Sequence, residues 1–389
     1  MFLIYIIIII VTIILITRAT IKFKYNFWSN MPVNHTYNII NKFRSPCIID
    51  NSIPLPDKWC NFIDINVKQY YNTNNKEKNV LCKFIKKYYL QTKNTQFIPN
   101  DGQILSYFIG HNSPCYISFY MQIDPDKLNY EKKTIGVFTS RPIYVYLPNI
   151  TIATHYADYL CIHPDYRGKQ LAPQLIQTQT YHNRRDNKDM QVCLFKRENN
   201  ANMPIVPLIT YKILVFDASN WTFHLDLSKY NDIIRINKNN FHKIKHLFRK
   251  HIKENYKLCI VPSMQNIIEL IETDNYYIFM LVVEDKMQGI YFYRNATTLI
   301  NNYNTIELIG SVNLQDNKSN ELFIFGFIKA FTQLHEKFKN IIIEDLSDND
   351  IIIKYLLKKY NPMFTNHNSY YFYNYIHPEF NNGRAFIID

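Results

Sequence analysis

Arg167, Gly168, Lys169, Gln170, Leu171 and Ala172 follow an apolar run, Tyr159-Leu160-Cys161-Ile162-His163, and lead into a helix that the pattern places at about 171–183. The first amides of a helix lack internal partners, and the helix dipole leaves partial positive charge on them. Such an end holds an anion, above all phosphate. Gly168 lets backbone approach the anion closely, Arg167 and Lys169 add charge, and Pro173 removes an amide that the first turn does not need. On spacing alone the same residues also serve as an ordinary basic helix cap. No GxGxxG after a strand and no GxxxxGK[ST] occurs, so neither a dinucleotide site nor a P-loop is indicated.

The elements that must position this loop are legible from the same kind of pattern. Tyr-, Ile-, Val- and Thr-rich runs at 115–123, 134–148 and 151–163 read as strands, and a further strand is expected at 191–196. The second half repeats the style. Helices are expected at 264–273, 321–338 and 351–360, and strands at 277–284, 288–293, 305–313, 341–346 and 370–376. With 389 residues, 47% of them hydrophobic, the chain fills two domains rather than one. The expected architecture is α+β: two tandem halves of mixed sheet flanked by helices, residues 19–228 and 229–389, behind an N-terminal segment of residues 1–18.

That segment, MFLIYIIIIIVTIILIT, carries no charge over seventeen residues, and Arg18, Lys22 and Lys24 follow it. At 1.5 Å per residue it reaches about 25 Å, near the lower limit for a bilayer. No basic residue precedes the run, as a signal peptide would require. The reading is a single-pass transmembrane anchor with a cytoplasmic body. The net charge of +12 suits phosphate-bearing ligands or anionic surfaces. No Lys/Arg run is long and no zinc-finger or RNA-recognition signature is present, so nucleic acid is not an expected partner. The seven cysteines are scattered, odd in number and without a CxxC pair, which reads as reduced thiols with no metal site.

Several of these stretches together resemble one family. YLCIH followed by R-x-K-x-x-AP-x-LI is similar to the signature of the N-myristoyltransferases, within the GCN5-related N-acyltransferase (GNAT) superfamily. YNFWSNMPV (25–33), TIGVFTSRP (134–142), KLCIVPSMQ (257–265) and the stretch from DLSDND (345–350) to SYYFYNYIHPEF (369–380) resemble further family segments in the same order. The resemblance implies two GNAT-like halves, acyl-CoA binding in the first and peptide binding in the second. It implies transfer of a myristoyl group from myristoyl-CoA, a substrate and not a resident cofactor, to the N-terminal glycine amine of a protein by a monomer. It places the acyl-CoA against Tyr25, Asn26, Phe27 and Trp28, against Tyr159, Leu160, Cys161 and Ile162, and on the loop Arg167, Gly168, Lys169, Gln170, Leu171 and Ala172. Gln170 stands where the family usually has Arg. The amides of Tyr159 and Leu160 are the implied donors to the thioester oxygen, since charge develops there during attack. The implied base is the α-carboxylate of Asp389, and Thr297 keeps a hydroxyl where the family has Ser on the peptide side. Cys161, among apolar neighbours, reads as a structural thiol.

The pattern departs from the family mainly on the peptide side. NPMFTNHN (361–368) replaces a glycine-rich turn whose Asp helps recognise the peptide in the family, and LIGSVN (308–313) stands where the family has an aromatic segment and has lost its rings. Two alternatives follow: a non-catalytic acyl-CoA or lipid-binding protein on the same fold, and an acyltransferase with another amine acceptor.

Overall fold

The computed structural model describes residues 2–123, 132–198, 203–222, 231–315 and 320–389. In chain order the first part forms α1 (Phe2–Lys24), α2 (Asn26–Asn30), β1 (Cys47–Ile48), β2 (Ile65–Gln69), α3 (Asn75–Tyr88), β3 (Thr95–Phe97), α4 (Asp101–Leu105), β4 (Tyr116–Ile123), β5 (Lys132–Leu147), β6 (Ile150–Ile162), α5 (Leu171–Asp186), β7 (Val192–Glu198) and β8 (Ile209–Asp217). The second forms β9 (Asn231–Ile236), α6 (His242–His246), α7 (Ile252–Asn255), β10 (Leu258–Val261), α8 (Met264–Glu272), β11 (Tyr276–Val283), β12 (Lys286–Ile300), β13 (Tyr303–Asn313), α9 (Asn320–Thr332), β14 (Asn340–Glu344), α10 (Asn349–Leu356), β15 (Phe364–Tyr373), β16 (Tyr375–Ile376) and β17 (Ala385–Ile387). The mixed α+β architecture expected from the sequence is present. The expected boundary at 228/229 lies outside the described residues.

One unit occurs twice. β4, β5 and β6 run antiparallel, α5 crosses over, and β7 returns parallel to β6. β11, β12 and β13 run antiparallel, α9 crosses over, and β14 returns parallel to β13. A parallel return needs such a crossover, and a helix supplies it. The two units are stitched by exchanged strands. β15, late in the chain, pairs with β7, while β8, early in the chain, pairs with β14, and β15 and β8 pair with each other. A single sheet therefore runs through the molecule, from β17 and β10 at one end to β9 at the other.

The expected transmembrane anchor is corrected. Among the described residues no helix is long and apolar enough to cross a membrane. The uncharged run ends at Thr17, and Arg18, Lys22 and Lys24 belong to the same helix, α1. About 25 Å of apolar helix falls short of a hydrocarbon core of about 30 Å. The membrane-anchored localisation and the membrane partner expected through this helix fall with it.

The last residues are held inside. β17 pairs in parallel with β10, Leu258 facing Ala385 and Ile260 facing Ile387, and Phe386, Ile387 and Ile388 are fully buried. Phe386 packs edge-on against Phe292 and Phe248 and near Tyr256. That packing carries Asp389 into the interior. Phe386→Ala removes a buried ring from this cluster, and a loss of about 3–5 kcal/mol of stability is expected, measured by urea unfolding.

Candidate active site

The site begins with an irregularity in β6. Phe138 of β5 faces Leu160, and Ser140 faces Ala157, so Thr139 alone faces both Asp158 and Tyr159. This is a β-bulge, one extra residue that bends the strand. On its other edge β6 pairs with β7 only from Thr154 to Ala157. From Asp158 onward the two strands part, leaving a gap in the sheet. His163 donates its N–H to Ile135 O, and antiparallel ladders alternate between bonded and non-bonded pairs. Leu160 therefore turns its N–H away from β5 and into the gap. The Tyr159 N–H is engaged otherwise, donating to Thr139 Oγ1 at 3.1 Å. Of the two amides expected to face a thioester oxygen, the structure aims Leu160 at the gap and ties Tyr159 to a side chain.

On one side of the gap lies a cavity of about 350 Å³ with charged walls. Asp389 is buried in it, 3% exposed. Its side-chain carboxylate accepts from Arg294 Nη1 at 2.6 Å and from Tyr156 Oη at 2.5 Å. Its main-chain oxygen accepts from Tyr276 Oη at 2.5 Å and from Arg294 at 3.2 Å. Burial alone would raise the side-chain carboxyl, but Arg294, Lys196, the Tyr156 hydroxyl and Arg141 together hold it far below the ordinary value. That side chain is a permanent anion and a poor proton acceptor. Arg294 also binds Glu307 at 2.6 Å, and Lys196 binds Glu344 at 2.9 Å. Across the cavity Arg141, 1% exposed, binds Asp158 at 3.0 Å. Burial pushes the Asp158 carboxyl up to about 6; Arg141 draws it down and Asp389 pushes it further up. Three cations, Arg141, Lys196 and Arg294, thus meet five side-chain carboxylates, Asp158, Glu198, Glu307, Glu344 and Asp389, so carboxylates outnumber cations around this cavity.

On the other side of the gap lies a second cavity of about 250 Å³, mostly apolar in lining. Trp28, Phe138, Leu160, Ile176, Phe195 and Tyr373 form much of its wall. Trp28 stacks on Phe195 at 5.2 Å, and Phe195 on Tyr371 at 5.3 Å. Ser140, His155, Thr180 and Asn183 also line it. Among the described residues neither ring nitrogen of His155 has a hydrogen-bond partner, nor does Asn183 Oδ1. Both cavities are lined by Ala157, Asp158 and Lys196, so they meet at the bulge.

Beyond the gap comes the basic loop. Helix α5 starts at Leu171, where the sequence pattern places it, and no side chain caps it. Gly168 and Gln170 both adopt left-handed backbone, φ 79° and 60°. Glycine takes that conformation freely and glutamine does so at a cost. A Cβ on Gly168 would meet nothing within 4 Å, so the loop's outer face is open. Arg167 is tied down, donating to Ile162 O and Tyr88 O at 3.1 Å each. Lys169 lies 4.9 Å over the Tyr166 ring. Leu171 is buried under the loop and Ala172 partly so.

The remaining expected residues are placed as follows. Phe27 is buried against Trp59, Trp28 covers the apolar cavity, and Tyr25 and Asn26 open α2 away from that cavity's lining. Cys161 sits in a core cluster behind β6, where burial pushes its thiol up to about 12. Ile162 packs with Leu171 and Leu175. Thr297, in left-handed backbone at φ 48°, lines the charged cavity. Sequence reasoning missed Arg141, Asp158, Lys196, Arg294, Glu307 and Glu344. The available signal was a charged residue inside an otherwise apolar strand, as at Arg141 and Asp158, since such residues are rarely buried unless paired.

His155 offers a test of the unpaired polar end. Burial pushes its imidazole down from 6.5 to about 3. Between those values the unfolded chain binds a proton that the folded chain refuses, so stability falls as pH drops. His155→Leu removes that term and two unsatisfied nitrogens. Urea unfolding at pH 7 and pH 5 is expected to show the variant at least as stable at pH 7. Its acid slope is expected to be shallower by up to about 1.4 kcal/mol per pH unit. His111, pushed down to about 4, and Asp158 are common to both chains and cancel in the comparison.

No family model and no curated protein sequence matches the chain. Solved structures do. A crystal structure of Saccharomyces cerevisiae N-myristoyltransferase with bound myristoyl-CoA matches with a TM-score of 0.70 at 13% identity, over 92% of this chain and 94% of that one. A second, with myristoyl-CoA and inhibitors, matches with a TM-score of 0.71 at 13% identity, over 94% of each chain. The chain has the fold of these enzymes along nearly its whole length.

Proposed function

We propose that this chain is an N-acyltransferase that moves a myristoyl group from myristoyl-CoA to the N-terminal glycine amine of a peptide. One observation carries the reading: the apolar and charged cavities meet at the β6 bulge, where the Leu160 amide faces the gap. An acyl chain in the apolar cavity brings its thioester to that junction, and a peptide amine enters from the charged side. Burial of a chain of about fourteen carbons contributes on the order of 10 kcal/mol. The uncapped start of α5, with Gly168, Lys169 and Gln170, faces the diphosphate of the coenzyme. The Leu160 N–H stabilises the thioester oxygen as charge builds on it. Arg167 shapes this loop through its two main-chain bonds. The excess negative charge around Asp389 attracts the ammonium form of the acceptor, and Thr297 contributes to the wall the peptide meets.

The fold neighbours bind myristoyl-CoA, which supports the choice of donor. The departures at 308–313 and 361–368 support a peptide preference of its own.

Purified protein incubated with radiolabelled myristoyl-CoA and a panel of Gly-leading peptides is expected to label at least one peptide on its α-amine. Tight binding of myristoyl-CoA with no peptide labelled would favour a lipid-binding protein instead. Lys169→Ala is expected to weaken myristoyl-CoA binding about tenfold, ~1.4 kcal/mol, with a smaller salt dependence than the parent chain, read by calorimetric titration at two ionic strengths.

A further inference from the structure

We infer that the apolar cavity ends in a recognition site for a hydroxyl group, so that the chain binds a counterpart of myristoyl-CoA hydroxylated in the distal part of its acyl chain more tightly than the plain donor. The inference deepens the acyl-transfer reading above and rests on it. Its first support is the wall that closes the cavity away from the junction. Ser140 of β5 faces Ala157 of β6, and His155 precedes Ala157 by two positions, so all three share one face of the sheet. Thr180 and Asn183 of α5 line the same cavity. Ser140, His155, Thr180 and Asn183 are each at most 5% exposed.

The second support is the hydrogen bonding of that wall. Ser140 Oγ accepts from Gln179 Nε2 at 2.9 Å and from Asn183 Nδ2 at 3.1 Å. Both of its lone pairs are then taken, and its O–H is left to donate. Gln179 is fixed from behind, accepting from Ser118 Oγ at 2.6 Å. Among the described residues Asn183 Oδ1 and both ring nitrogens of His155 have no partner. The Tyr116 ring packs steeply against the imidazole, 5.6 Å between centroids, without a hydrogen bond. Burial pushes the imidazole down to about 3. It is neutral at working pH, with one N–H donor and one bare nitrogen in either tautomer.

The open groups are therefore two donors, Ser140 O–H and one His155 N–H, and two acceptors, the other His155 nitrogen and Asn183 Oδ1. An alcohol matches this set, since its O–H donates once and its oxygen accepts twice. A methylene matches none of it, and buried polar groups left unpaired carry a full desolvation cost. A carboxylate has no hydrogen for Asn183 Oδ1 and meets no cation among these side chains. Folding does not call for the wall, because apolar side chains of similar volume would leave nothing unpaired. Strand and helix geometry give its place along the acyl chain. From Asp158, at the junction of the two cavities, to His155 is about 10 Å along β6. From Ile176, which packs with Leu160, to Asn183 is again about 10 Å along α5. A thioester at the junction thus puts the hydroxyl well down the chain, away from the reacting carbonyl. A buried water offers the same O–H chemistry, and the test separates it from a hydroxyl carried by the chain.

The full chain is titrated calorimetrically with myristoyl-CoA and with counterparts hydroxylated at successive carbons, from beside the thioester to the far end. The parent, His155→Leu and Asn183→Leu are compared by the ratio of hydroxylated to plain affinity within each chain, so a general loss of binding cancels. The parent is expected to bind at least one distally hydroxylated donor about tenfold more tightly than the plain one. A hydroxyl beside the thioester is expected to give no gain. In both variants the distal gain is expected to vanish and the ratio to fall below one, because the hydroxyl then meets an apolar wall. Urea unfolding reports whether each variant folds, and either folded variant suffices. If no hydroxylated donor outbinds the plain one in the parent, a water occupies the wall and the inference is overturned. A distal gain that a folded variant keeps overturns it too. Both of those results leave the acyl-transfer reading standing wherever the plain donor binds and a peptide is labelled. Failure of every donor, plain and hydroxylated, to bind the parent overturns that reading and this inference with it.

Discussion

Two residues of β6, Asp158 and Tyr159, stand opposite the single Thr139 of β5, and the site depends on that mismatch. An unbulged β6 would continue beside β7 past Ala157 and close the sheet. The extra residue bends the strand and ends the parallel pairing. The same offset turns the Leu160 N–H into the opening and sets Asp158 between the two cavities. Thr139 steadies the bulge from below by accepting the Tyr159 N–H. The backbone donor is thus positioned by strand pairing, not by a mobile side chain, and little reorganisation is needed when charge develops in front of it.

The charged cavity is poorly explained as a stabilising feature. Arg141, Glu344 and Asp389 are each at most 3% exposed, and removing such groups from water costs several kcal/mol apiece. Well-packed apolar residues of similar volume would serve folding as well or better. Several bonds are also left unmade: among the described residues Arg141 Nη1 and Glu344 Oε2 have no partner. A network that is both expensive and incomplete fits a place where a polar substrate supplies the missing contacts. The excess of carboxylates over cations there suits a positively charged substrate group.

How far the sequence foretold this depends on the separation of the partners. The basic loop was legible because strand end, Gly168, Lys169 and helix start are contiguous, and local chemistry decides their conformation. The α+β alternation was legible for the same reason, since periods of two and of 3.6 are local signals. Burial of the final residues was visible in the apolar Phe386, Ile387 and Ile388. The charged cavity was not. Tyr156 meets Asp389 across 233 positions, Lys196 meets Glu344 across 148, and Arg294 meets Asp389 across 95. Those meetings are set by strand order, and β8, a strand not among those expected from the sequence, is one of the strands that sets it. The apolar amino-terminal run misled for the opposite reason: its hydropathy was plain, but the helix it belongs to goes on into Arg18, Lys22 and Lys24.

Strand exchange then explains how a site assembled from such distant residues holds its geometry. β7 brings Lys196 and is paired with β15, whose other neighbour is β8; β8 in turn pairs with β14, which brings Glu344. Lys196 and Glu344 are therefore connected through two intervening strands by continuous main-chain hydrogen bonding, and their 2.9 Å contact bridges the space above those strands. β12 and β13, bearing Arg294 and Glu307, follow β14 in the same sheet. Asp389 arrives by a different route, through β17 on β10 and β10 on the far end of β5, the strand that also carries Arg141. The two routes close on each other where Arg294 grips Asp389. A displacement of either sheet end would break that grip and leave charges buried without partners, so the cost of disorder falls on the groups that must be held in place.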